Sequence, residues 1–196
     1  MNLVLPTFAA AVAAGYLARG RLSALGRLRL RWQAAAIVGL GLQVAPIPGK
    51  TLALALLFTS FGVLIAFGIV NIRVAGFPLI LIGIALNLTV ISVDHGMPVT
   101  RHALVASGQQ ETLSLLRHDG GAKHHLATSS DRVLFLGDVI PIAPIHQAVS
   151  VGDVFTYLGV CWLIIAGMLS RCARWDGDSA AEARVPSHGD AEHVRA

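Results

Sequence analysis

Six of the eight histidines, His95, His102, His118, His124, His125 and His146, fall between residues 94 and 150, together with Asp94, Asp119, Asp131 and Asp138. Imidazole and carboxylate groups can hold a transition metal or pass protons, so chemistry is to be sought in this stretch. The spacing matches no ligand pattern, however: His-Glu-x-x-His is absent, and the two cysteines, Cys161 and Cys172, lie elsewhere. The expectation is no metal and no cofactor. A Gly-x-Ser-x-Gly elbow is also missing, which removes support for a serine hydrolase. Gly49-Lys50-Thr51 imitates the end of a phosphate loop, but Val44 stands where the first glycine belongs, and Pro46 and Pro48 have no N–H to donate. It reads as a turn.

Two acids stand out, each preceded by glycine, as Gly137-Asp138 and Gly152-Asp153. Ser150-Val151-Gly152-Asp153 has the form of a capping box opening an apolar run, which makes a structural role for Asp153 the first expectation. Asp138 sits among apolar neighbours, where an unpaired charge is expensive, so a partner such as Arg132, Lys123 or a histidine is expected. His124, His125, Asp138 and Asp153 form the candidate site. Thr128-Ser129-Ser130-Asp131 reads as a second capping box before Val133 to Leu136, with Gly137 as the left-handed residue ending that helix. Asn87 and Thr89 lie deep in an apolar run. Hydrogen bonding between helices is their expected role, with a polar translocation path as the alternative.

The elements that must position these residues are apolar helices. The chain has 196 residues, of which 55% are hydrophobic and only 13% charged, where a soluble domain is typically about 25% charged. Its mean hydropathy is +0.68. Five apolar runs are readable, about 3–18, 32–47, 51–70, 74–93 and 151–169, against the roughly 20 residues that cross a bilayer. Gly62 and Ala66 on the third suggest close helix packing. Residues 1–93 contain no Asp or Glu, and no Lys or Arg precedes the first run, which argues against a signal peptide. Arg19, Arg21, Arg27, Arg29 and Arg31 crowd the first connection, placing it in the cytoplasm and the N-terminus outside. Basic residues distributed this way orient a membrane protein, and nucleic acid is not an expected partner.

The domain reading is four transmembrane helices in 1–93, an extracytoplasmic segment at 94–150, a fifth helix at 151–169, and a disordered cytoplasmic tail at 170–196. The fold class is all-α, an integral membrane bundle of about five helices with a partly membrane-embedded outer segment. In that segment Pro98 opens a helical pattern that Gly108 closes, and Leu113 and Leu116 mark a second. Val133 to Val149 is broken by Asp138, Pro141, Pro144 and His146, and reads as a surface or re-entrant element.

Gly96-Met97-Pro98-Val99, Lys123-His124-His125, Leu136-Gly137-Asp138 and Ser150-Val151-Gly152-Asp153, in that order, resemble a family of bacterial multi-spanning membrane proteins known only as a domain of unknown function. The likeness covers Leu3 to Leu169 and implies an integral protein of the bacterial plasma membrane. It assigns no activity. Binding or an accessory role at the outer face is the leading expectation, with the lipid bilayer and another membrane protein or a cell-envelope component as partners. A small transporter or channel is the first alternative, and an enzyme using the outer His and Asp residues the second.

Overall fold

The computed structural model describes residues 3–44, 49–118, 121 and 123–170. The longer apolar runs fold as α1 (Val4–Leu17), α3 (Gln33–Val44), α4 (Lys50–Val70) and α5 (Phe77–Val93), with a single turn, α2 (Leu22–Leu25), between the first two. Two of the described helices are long and apolar enough to cross a membrane: α4, with 21 residues, and the last helix, α8 (Val151–Leu169), with 19. Between α5 and α8 lies a mixed cap of β1 (Met97–Val99), α6 (Arg101–Ala106), α7 (Gln110–His118), β2 (His124–Leu126), β3 (Ile140–Ile142) and β4 (Gln147–Val149).

The helices pack in the order α1, α8, α5, α4, α3, with α8 gripped on both sides. Alongside α8, α1 runs parallel, with Thr7 beside Cys161 and Gly15 against Met168. Antiparallel to it runs α5, and glycines set that approach. Gly76, at φ +91°, begins α5 against Gly159, while Gly83 lies against Gly152 and Thr156; a Cβ at any of these four positions would meet backbone. At the far seam the Ser60 hydroxyl donates to the Gly39 carbonyl at 2.7 Å. Asn71, which ends α4, ties down the chain before α3: its amide accepts from Arg31 N–H and donates to Arg31 O, both at 2.9 Å. Away from these seams every long helix carries exposed large apolar side chains, among them Leu5, Ile37, Phe58, Ile82 and Trp162.

In the cap, β1 and β2 pair in parallel, Met97 opposite His124 and Pro98 opposite His125. The backbone at Asp138 extends this pairing on the other side of β1, donating to Pro98 O at 2.9 Å and accepting from Thr100 N–H at 3.3 Å. Helices α6 and α7 cover the layer, burying Leu104, Leu113 and Leu116 with Val99. The β3–β4 hairpin leads directly into α8.

Several sequence expectations are corrected here. The fold is mainly helical but not all-α, since the described residues include four short strands. Pro98 belongs to β1; α6 starts later because the Thr100 hydroxyl accepts from Ala103 N–H, although Gly108, at φ +77°, does follow the end of α6. Residues 133–149 form two single 3-10 turns and a hairpin, as Pro141 and Pro144 deny the N–H groups a longer helix needs. Gly137 is extended, at φ −72°, rather than left-handed. Gly62 meets nothing within 4 Å of a Cβ, so the close-packing glycines are others. The fourth run becomes helical only at Phe77, after the turn that Gly76 makes. Of the tail read as disordered, residues 171–196 lie outside the described residues, as do Pro46, Pro48, Asp119 and Cys172.

Candidate functional site

The polar centre forms where the cap meets α5 and α8. Ser150 opens α8 with a complete capping box: its hydroxyl accepts from Asp153 N–H at 2.9 Å, and Asp153 Oδ2 accepts from Ser150 N–H at 3.1 Å. The box does not stand alone. Asn87 of α5 donates from Nδ2 to Asp153 Oδ1 at 2.8 Å and accepts from the Ser150 hydroxyl at 2.8 Å. Every one of these groups is partnered, as burial between helices requires. Asn87 thus fulfils its expected inter-helix role. Thr89 does not, for its hydroxyl turns back to Ala85 O on its own helix at 2.8 Å.

Asp138 stands next to this network on the cap side. It is 8% exposed and faces His124 across 3.7 Å, near enough to interact but beyond hydrogen-bond length. Burial, reinforced by the nearby Asp153 charge, pushes the Asp138 carboxyl well above the usual carboxylate range. His124 is open on one side, its side chain 54% exposed. Protein crowding its inner side lowers its pKa, Asp153 opposes that shift, and Lys123 and His125 add to it. The two shifts run in opposite senses, each favouring the neutral form of its group. Such a pair can donate and accept within one site. Lys123, the other expected partner, is engaged elsewhere, its ammonium donating to Gln43 O at the end of α3 at 2.6 Å.

His125 does not join. Successive strand residues face opposite sides, so β2 directs His124 and His125 apart. His125 meets Asp131 at 3.0 Å, and Asp131 also accepts from Thr128 N–H at 2.7 Å. Although burial works against its charge, those hydrogen bonds and the His125 ring hold the Asp131 carboxyl below the usual range. Thr128 and Asp131 therefore brace a loop and do not cap a helix: the 3-10 turn at Leu134–Leu136 has no side-chain cap. His146 accepts from or donates to no cluster member; its Nδ1 lies 3.1 Å from Ser107 O, and only an imidazolium or the Nδ1–H tautomer makes that a bond. Among the described residues, no group of three or more His, Cys, Asp or Glu is arranged to hold a metal ion.

One residue of the centre escaped the sequence reading. Tyr157 is within electrostatic reach of both Asp138 and Asp153. Its signal was its position four residues after Asp153, which places both on one face of α8.

Fold and site together define a helical layer closed at one end by a small α/β cap, with a carboxyl–imidazole centre at the junction. The chain belongs to DUF5317, a family of unknown function, which matches residues 27–165 and so includes every member of that centre. Neither a curated protein nor a solved structure is similar to it.

Proposed function

We propose that this is a multi-pass protein of the bacterial plasma membrane, with α1, α3, α4, α5 and α8 as its five crossings, its N-terminus outside, its C-terminus in the cytoplasm, and a binding or accessory role at the outer face. One observation carries the role: Asp138, Asp153 and His124 converge from the cap and α8, with one histidine face left open to a ligand. The membrane reading is supported by the two long apolar helices and by the exposed apolar side chains on all five, a surface that water does not tolerate without a cover. Helices α1 and α3, with 14 and 12 residues, reach about 21 and 18 Å, so flanking residues or local thinning of the bilayer complete those crossings. Because α8 opens opposite Asn87 and not opposite Val93, the centre lies about 9 Å below the end of α5. That depth supports a partly embedded outer segment. Its expected partners are the bilayer itself and a membrane protein or cell-envelope component.

The enzyme reading stands second: Asp138 and His124, 3.7 Å apart, would have to close to hydrogen-bond length to pass a proton. A transporter gains nothing from Asn87, whose amide is consumed by Asp153 and Ser150. The test is native mass spectrometry of protein extracted from its own membrane, comparing the parent with the Asp138→Asn, His124→Ala double variant. A bound species lost only from the variant, with insertion unchanged, is the expected result. Identical bound species in both would reject the site. Turnover lost with binding retained in His124→Gln would favour the enzyme reading.

A further inference from the structure

A second feature adjoins the polar centre. Between α1, α8 and the β3–β4 hairpin runs an apolar cleft of about 380 Å³, lined by Leu3, Pro6, Ala10, Val149, Val154 and Leu158. Tyr157 also lines it, one helical turn beyond Asp153 on the same face of α8. One polar atom beside this lining is unsatisfied: Gln147 Oε1 is buried and has no hydrogen-bond partner. The hairpin register pairs Gln147 with Ile142, another lining residue, and paired residues of an antiparallel ladder present their side chains on the same face. A buried carbonyl without a partner costs about 1 to 3 kcal/mol, so a donor is wanted there.

We propose that the cleft holds an acyl chain of a phospholipid with an amine head group, whose ammonium is received by Gln147 Oε1 and by the Asp138–Asp153 end of the site. The cleft supplies an apolar wall for the chain, and what adjoins it is rich in acceptors: an amide carbonyl, two carboxyl groups and a tyrosine oxygen. An ammonium carries three donors and no acceptor, which complements that set. A purely anionic head group would meet the Asp153 carboxylate with like charge. This inference rests on the membrane reading above and names the ligand class of the outer site.

The experiment reconstitutes the full chain in phosphatidylcholine vesicles containing a trace of either phosphatidylethanolamine or phosphatidylglycerol, each with a diazirine midway along one acyl chain, and maps the crosslinked peptides. Labelling of cleft residues on α1 and α8 should be several-fold greater with the ethanolamine probe. Ala10→Trp, at an exposed position that fills the cleft, should lower it about tenfold. Gln147→Leu should abolish the preference between probes and leave insertion intact. Equal labelling by both probes, or no effect of Ala10→Trp, would overturn the proposal and leave only bulk lipid. Phe58 and Ile69, exposed on the distant α4, serve as the control. Labelling there but not in the cleft defeats this inference alone, whereas labelling nowhere defeats the membrane reading as well.

Discussion

Asp138 is a carboxyl placed where its charge costs most, buried and beside a second acid. Its native pKa lies above the unfolded one, so the native chain holds that proton more tightly. The stability gained is fully present below about pH 4 and is lost as pH rises through the raised native value. Asp138→Asn keeps the shape without the ionisation. Thermal melts in detergent should find the variant close to the parent near about pH 4 and increasingly more stable than it towards about pH 8. A constant difference across that range would remove the burial argument. Asp131 has the opposite sign, for its native pKa is depressed. Its contribution is present above the ordinary carboxylate pKa and disappears as pH falls through the native value. Asp131→Ala should therefore cost about 1.5 to 3 kcal/mol at neutral pH, the range for a hydrogen bond to a charged group, and little in acid. Chemical denaturation of the two proteins at both pH values measures it. The sequence grouped His124 with His125 because they are neighbours. It could not show that a strand passes through them, and only that strand separates their faces.

At the scale of elements, the junction of α5 and α8 depends on one polar knot and two pairs of glycines. The Ser150→Ala, Asp153→Ala double variant removes the capping box and leaves Asn87 without either partner, so a loss of roughly 1 to 2 kcal/mol for the cap is a lower bound. Asp153→Asn is less innocent than capping alone suggests: both carboxylate oxygens accept here, and an amide offers one acceptor. Gly83→Ala would drive a methyl into Gly152 and Thr156 and should cost about 1 to 3 kcal/mol, whereas Gly62→Ala, with nothing nearby, should be neutral or slightly stabilising. Melting temperatures of the two alanine variants in detergent decide between them; equal effects would contradict the packing. The helices of this fold were readable because apolar runs of that length leave little choice. Strands of three residues are too short to display an alternating period, so the strands of the cap went unread and Pro98 was taken as a helix start, although α6 and α7 lie where the two helical patterns were expected. Spacing likewise put Gly62 and Ala66 on one face without revealing that Gly62 has open space beside it.

Across the whole molecule, the arginine-rich connection and the cap occupy opposite ends. Arg21 N–H donates to Met168 O at the end of α8, and the backbone of Arg31 is clasped by Asn71 at the end of α4, so the first connection lies beneath the bundle. The cap instead joins the end of α5 to the start of α8. Charge differs between the two ends: Arg19, Arg21, Arg27, Arg29 and Arg31 gather at one with no acid among them, whereas in the cap Asp94, Glu111, Asp131 and Asp138 offset Arg101, Arg117, Lys123 and Arg132. Positive residues flanking membrane helices are retained in the cytoplasm, so the orientation proposed above has the arginine end inside and the polar centre outside. Reporter fusions should therefore give an extracytoplasmic signal at the N-terminus and a cytoplasmic one at the C-terminus. Replacing the five arginines by glutamine should weaken that orientation and yield a mixed population, because the remaining connections carry little charge bias. Glycines at the helix seams are left alone, so the helix packing should persist in detergent. A uniform N-in signal from the unaltered chain would reverse the placement of the His124–Asp138 pair and put it at the cytoplasmic face.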